Sequence, residues 1–213
     1  VAPIKIAALD SCKELAQQVD SHLVQFRKEL DSHNQSGLNF RGYTADTFLL
    51  DCKCPRFGSG EAKGIINESV RGTDLFIMVD VCNHSLTYKV SGHVNHMSPD
   101  DHYQDLKRII ATATGKAHRI NVIMPFLYES RQPQEKQEGI PGLRAGTAGA
   151  GADGVSNIIT FDAHDPRVQN SIPLSGFDNF MPTYQFLKTL CASIDNFRID
   201  NEHLMIISPD EGA

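Results

Sequence analysis

Apolar positions recur along the chain in two rhythms, and the rhythm predicts the element. Between Asp10 and Leu30 they return every three or four residues, at Leu15, Val19, Leu23 and Phe26. That spacing stacks side chains on one helical face and predicts a helix capped by Asp10 or Ser11. Residues 4–9 ahead of it read as a short strand or apolar entry segment. Residues 46–53 and 61–68 read as two strands of a hairpin around the turn-rich stretch 55–60. Compact apolar runs at 75–79, 119–125, 155–161 and 204–208 suit strands covered on both faces. A second helix starts at Ser98-Pro99-Asp100-Asp101, with proline in its first turn and acids at the positive end of its dipole. It carries Leu106, Ile109 and Ile110 and ends at Gly115. Residues 182–192 read as a third helix. Buried strands alternating with helices predict an α/β fold built on a parallel sheet with right-handed crossovers.

One segment resists this pattern. Residues 133–154 carry Gly139, Gly142, Gly146, Gly149, Gly151 and Gly154, with Pro141 among them. Each glycine costs a helix about 1 kcal/mol against alanine, so a flexible connection is expected there. Gly149-Ala150-Gly151-Ala152-Asp153-Gly154 spells the dinucleotide fingerprint, but the fingerprint needs a strand before it and a helix after it. Here a strand follows, and dinucleotide binding is set aside.

Composition narrows the classes. A net charge of −6 with scattered Lys and Arg argues against a polyanion-binding face, so nucleic acid is not an expected partner. Five cysteines without framework spacing predict free thiols in a reducing compartment. Cys52-Lys53-Cys54 lacks the second knuckle of a structural zinc site, and His93-Val94-Asn95-His96 reads as a polar loop with solvated histidines. No apolar stretch approaches the roughly 20 residues that cross a bilayer, and the first residues lack the basic start of a signal peptide. The cytoplasm is the expected compartment.

In open parallel sheets, ligands bind beyond the carboxyl ends of the strands. The 119–125 strand leads into Glu129-Ser130-Arg131-Gln132, the 155–161 strand into Asp162-Ala163-His164-Asp165, and the 204–208 strand into Pro209-Asp210-Glu211. Taken singly, Asp210 also reads as a helix cap, Arg131 as a solvated surface residue, and Asp162-Ala163-His164 as a capping acid beside an exposed imidazole. Taken together, arginine suits phosphate oxygens and carboxylates suit Mg²⁺, so one shared rim would make a metal–polyphosphate site.

Motifs recurring in one order carry a resemblance. They are Arg56-Phe57-Gly58-Ser59-Gly60-Glu61, then Asn67-Glu68-Ser69-Val70-Arg71-Gly72, then Asn95-His96-Met97-Ser98-Pro99-Asp100-Asp101-His102, and the strand ends with Arg131-Gln132, Asp162-Ala163-His164 and Ser208-Pro209-Asp210-Glu211-Gly212. Over about residues 45–132 and 155–213 the chain resembles the N-terminal half of ribose-phosphate pyrophosphokinases, in a longer bacterial-type branch. The resemblance implies a phosphoribosyltransferase-like domain with helices on both faces (residues 1–172) and the start of a second similar domain (173–213). It implies Mg²⁺-dependent transfer of pyrophosphate from ATP to ribose 5-phosphate. Phe57, Ser59, Gly60 and Glu61 match the loop that holds adenine, which in the family a neighbouring subunit usually lends. Ser59 stands where the family commonly has Asn or Asp. Arg131, Gln132 and His164 match ATP-binding positions, and His164 and Asp210, with Asp162 beside them, match the Mg²⁺-associated ones. A homo-oligomer is implied, in the family a hexamer.

The departures shape the expectation as much. The family's lysine-bearing catalytic loop and acidic ribose-phosphate loop, both beyond Asp210, are missing, and residues 133–154 replace a basic loop and helix. The chain alone is therefore expected to be inactive, a partial version of a longer enzyme, consistent with its lack of an initiator methionine. The alternative is a non-catalytic regulatory or assembly module of the same fold. A phosphoribosyltransferase-like protein is a weaker third option, since its acidic run after a buried strand is not visible.

Overall fold

The computed structural model describes residues 2–33, 44–130, 154–164 and 175–208. Its strands in chain order are β1 (Ile4–Ala8), β2 (Leu49–Leu50), β3 (Cys52–Lys53), β4 (Ile65–Ile66), β5 (Asp74–Met78), β6 (Thr87–Val90), β7 (His93–His96), β8 (Arg119–Ile123), β9 (Val155–Phe161) and β10 (Gly176–Phe180). The helices are α1 (Lys13–His33), entered through a 3₁₀ turn at Asp10–Cys12, then α2 (Pro99–Ala113) and α3 (Thr183–Ser193).

Six strands form one sheet in the order β10-β9-β8-β5-β1-β2, and every pairing in it is parallel. Alternation along the strands sorts the core into two layers. Ile6, Ala8 and Met78 pack with Cys12, Ala16 and Phe48 under α1. Ala7, Ile77, Val122 and Ile158 point the other way, onto Leu106, Ile109 and Ala113 of α2. Leu75, Ile77 and Ile109 are fully buried, each contributing about 1.5–3 kcal/mol of transfer free energy. Helices on both faces of a parallel sheet are the expected α/β architecture.

The hairpin predicted over 46–53 and 61–68 is present but short, because β2 leaves it to pair with β1 while β3 pairs antiparallel with β4. The α1 stripe is rotated from the expected one. Leu15 and Phe26 are 39% and 62% exposed, and Ala16 and Asp20 take the buried positions. Residues 93–96, read as a loop, form β7, antiparallel to β6. Strand β10 went unread in the sequence.

The chain divides into two compact units, Val1–Phe180 and Met181–Ala213. The second contains α3, in which no residue is buried. The buried strand expected at 204–208 is not there. These residues have no regular structure, and Met205, Ile206 and Ile207 are at least 80% exposed. An apolar run supplies β-propensity, but a strand also needs a ladder partner, and the described part of this unit offers none.

Candidate functional site

The turn at 57–61 closes on itself. The Phe57 N–H donates to the Glu61 carbonyl (2.7 Å), and the Gly60 N–H donates to the Phe57 carbonyl (2.9 Å). The Ser59 hydroxyl donates to Glu61 Oε2 at 3.0 Å. Gly60 has φ +92°, a conformation that costs a residue with a Cβ. The outcome is a rigid turn presenting Phe57, 54% exposed, as a bare aromatic face. A base can stack on such a face.

At the carboxyl end of β9 the chain turns through Asp162, whose φ is +48°. Two bonds from β10 hold this turn: the Asp162 N–H donates to the Phe180 carbonyl at 3.0 Å, and the Ala163 N–H donates to Asn179 Oδ1 at 3.0 Å. Ala163 is buried, so Asp162 and His164 on either side of it both lie exposed at the strand end. The sequence did not single out Asn179, whose side chain holds this turn. The available signal was the run Gly176-Phe177-Asp178-Asn179-Phe180, whose alternate positions, Phe177 and Asn179, are half-buried.

The approach to Arg131 is also pinned. After β8, Leu127 is buried, and the Tyr128 hydroxyl donates to the Asp100 carboxylate at the start of α2. The Tyr128 ring stacks on Tyr103 with centroids 4.3 Å apart. Burial and the Asp100 hydrogen bond push the Tyr128 hydroxyl well up, so it stays a donor; burial, with Glu129 nearby, pushes Tyr103 up to about 12. Arg131, Gln132 and Asp210 themselves lie outside the described residues. Strands β8 and β9, which lead to Arg131 and His164, are neighbours. The third strand end expected on the same rim is not formed.

A cavity of about 650 Å³ opens beside the carboxyl ends of β1, β5 and β8, lined by Ser11, Lys13, Asp80, Asn83 and Phe126 among others. The chain runs outward from β1 to β2 and in the opposite direction from β5 to β8, so the cavity sits at the switch point where open α/β sheets receive ligands. Among the described residues no three metal-ligating side chains cluster. The Cys52 and Cys54 thiols donate to the Ala8 and Asp105 carbonyls at 3.3 and 3.8 Å.

The family model for the N-terminal domain of ribose phosphate pyrophosphokinase matches residues 4–143. The chain belongs to the ribose-phosphate pyrophosphokinase family. As a family member it is 25% identical over 213 residues to ribose-phosphate pyrophosphokinase of Corynebacterium ammoniagenes, covering 99% of this chain and 53% of that protein. Ribose-phosphate pyrophosphokinase 5 of Schizosaccharomyces pombe is 29% identical over 185 residues, covering 74% of this chain and 48% of its own length. A crystal structure of phosphoribosylpyrophosphate synthetase from Mycobacterium smegmatis superposes with a TM-score of 0.62 at 21% identity, over 89% of this chain and 52% of that chain. That likeness is one of fold. The chain spans about half the length of the curated relatives it matches.

Proposed function

We propose that this chain supplies the nucleotide and metal side of a ribose-phosphate pyrophosphokinase, which transfers the pyrophosphoryl group of ATP to ribose 5-phosphate with Mg²⁺. The observation that carries the reading is the closed turn at 57–61, with its exposed Phe57, inside the family match. Phe57 stacks on adenine, while Ser59, Gly60 and Glu61 shape the turn around it. Arg131 and Gln132 hold the triphosphate. His164 with Asp162 would hold Mg²⁺, and Asp210 matches a further metal-associated position of the family. The metal, when bound, neutralises triphosphate charge. The protein's own residues align the β-phosphorus for attack by the anomeric hydroxyl of the sugar, and AMP leaves. Catalysis of this kind is mostly positioning and electrostatics.

The exposed apolar residues of this chain's second unit, Met205, Ile206 and Ile207, favour a homo-oligomer. Light scattering is expected to show a species larger than one chain. The three buried or half-buried thiols favour a reducing, cytoplasmic setting. No described helix is long and apolar enough to cross a membrane.

The test is thermal protection by ATP. The melting temperature is expected to rise several degrees with ATP and Mg²⁺ together, and much less with ATP and a chelator. Indifference to both would remove the reading. His164→Ala is expected to weaken MgATP about tenfold, equivalent to about 1.4 kcal/mol. A second reading, a non-catalytic assembly module, is favoured by the glycine-rich sequence at 133–154 where the family has a basic loop. Release of AMP from ATP and ribose 5-phosphate by this chain would remove the second reading, and with it the expectation that the chain alone is inactive.

A further inference from the structure

The family motifs do not include β6, the first strand of the β6–β7 hairpin, yet the turn at 57–61 rests against it. A Cβ built on Gly60 would lie 3.1 Å from Val90 Cγ2 and 3.7 Å from Tyr88 Cε2, both on β6. Arg56, immediately before the turn, is largely covered, with 12% of its side chain exposed. Its guanidinium reaches four groups at once. It donates to the Gly60 carbonyl at 3.2 Å and to Asp105 Oδ2 at 2.9 Å. It lies 3.7 Å from Asp101 Oδ1 and 4.8 Å from the Tyr88 ring centroid. Tyr88 extends its hydroxyl to the Asp101 carboxylate at 3.5 Å. The turn, α2 and the hairpin therefore share one cation.

Chemistry explains why this cation is an arginine. A planar guanidinium can fork between a carbonyl and a carboxylate while its face rests on an aromatic ring, and an ammonium cannot. Asp105 is 5% exposed and is held from its other side by Arg108 at 2.6 Å, so the anchor is itself fixed to α2. Phe57 is 54% exposed, so its side chain does little to anchor the turn. Its rigidity comes from its own internal bonds and from Arg56. A turn already fixed in shape loses less freedom when a ligand arrives and binds more tightly for it.

We propose that Arg56 and Tyr88 are positioning residues that lock the 57–61 turn to the β6–β7 hairpin, so that the hairpin sets how tightly the turn grips a purine base. This rests on the nucleotide-binding reading above. It adds a determinant of base affinity, Tyr88, on a strand outside the family motifs.

The experiment uses the chain in its native assembly and three variants: Tyr88→Leu, Tyr88→Phe and Arg56→Lys. Tyr88→Leu removes the ring and leaves the Arg56–Asp105 pair intact, so the fold is expected to survive. Two quantities are read: amide hydrogen exchange at residues 57–61, and the Mg²⁺-dependent affinities for ATP and for inorganic tripolyphosphate. Tyr88→Leu and Arg56→Lys are expected to speed exchange in the turn and weaken ATP roughly tenfold, with tripolyphosphate unchanged because it has no base. Tyr88→Phe keeps the ring and is expected to restore both readouts towards wild type. Unchanged exchange and unchanged ATP affinity in Tyr88→Leu overturn the proposal. So does equal weakening of ATP and tripolyphosphate, which marks a general structural effect. A wild-type chain that binds neither probe overturns the nucleotide reading itself, and this proposal with it.

Discussion

Asp20 sits on the buried face of α1 at 8% exposure, where an unpaired carboxylate would be costly. It is paid for by two donors from the next segment: the Phe48 N–H at 2.6 Å and the Thr47 hydroxyl at 2.8 Å. The Phe48 carbonyl in turn accepts from Ile6 N–H at 2.8 Å, so one side chain ties α1 to the sheet edge. Asp20→Ala orphans the buried Phe48 N–H and is expected to cost about 1–3 kcal/mol. A lower urea midpoint at unchanged slope would show it, and Asp20→Asn, which keeps an acceptor, should recover part of the loss. Thiol reactivity is also decided residue by residue. Burial pushes Cys12 and Cys52 up to about 11 and Cys54 up to about 12, while Cys82 and Cys191 are exposed. Mass spectrometry after brief iodoacetamide treatment near neutral pH is expected to find the last two modified first.

Helix α2 depends on its first turn. The Ser98 hydroxyl accepts from the Asp101 N–H at 3.1 Å, and Asp101 Oδ2 accepts from the Ser98 N–H at 3.0 Å, a reciprocal capping box. Ser98→Ala is expected to cost about 1 kcal/mol in a denaturant titration. The β3–β4 hairpin lies so close to this helix that a Cβ on Gly64 would meet the Arg108 carbonyl oxygen at 2.7 Å and its carbon at 2.8 Å. Those are backbone atoms with no rotamer to change. Gly64→Ala must separate the hairpin from α2, at about 1–3 kcal/mol, and the same titration reads it.

Across the whole molecule, acid sensitivity follows from carboxylates that the fold keeps charged. Burial pushes Asp74 up, but hydrogen bonds from His118 and Arg119 outweigh it and hold the group below its ordinary 3.8. Asp101 behaves likewise, burial being outweighed by bonds from Ser98 and by Arg56. A carboxyl depressed on folding adds stability above its unfolded value, and that stability is lost as pH falls through the folded one. Asp105 has the opposite sign: burial raises it, and Arg56 and Arg108 only partly pull it back. Folding stability is therefore expected to fall as pH drops below about 3.8, most clearly at low salt. Asp74→Asn should make that fall shallower, and urea titrations between pH 5 and pH 2 (roughly the window of acid linkage) check it.

Much of the fold was legible because it is local. The run Leu75-Phe76-Ile77-Met78 in β5 is apolar on both faces, as only a strand sandwiched between helices need be, and β8 and β9 each bury isoleucines and valines on at least one face. Ser98-Pro99-Asp100-Asp101 carried the start of α2 in its own side-chain chemistry. The site motifs were legible as types of residue in an order. Tertiary contact decided the rest. Residues 204–208 have the composition of a strand and no ladder to join. The exposed His93–His96 became a strand because β6 was there to pair with it. Which face of α1 is buried turned on Asp20 meeting donors 27 and 28 residues away. Propensity and capping act within a few residues, so the sequence alone determined them. Pairing and the grip of Arg56 on the 57–61 turn need partners distant in the chain, and only the folded molecule brings those together.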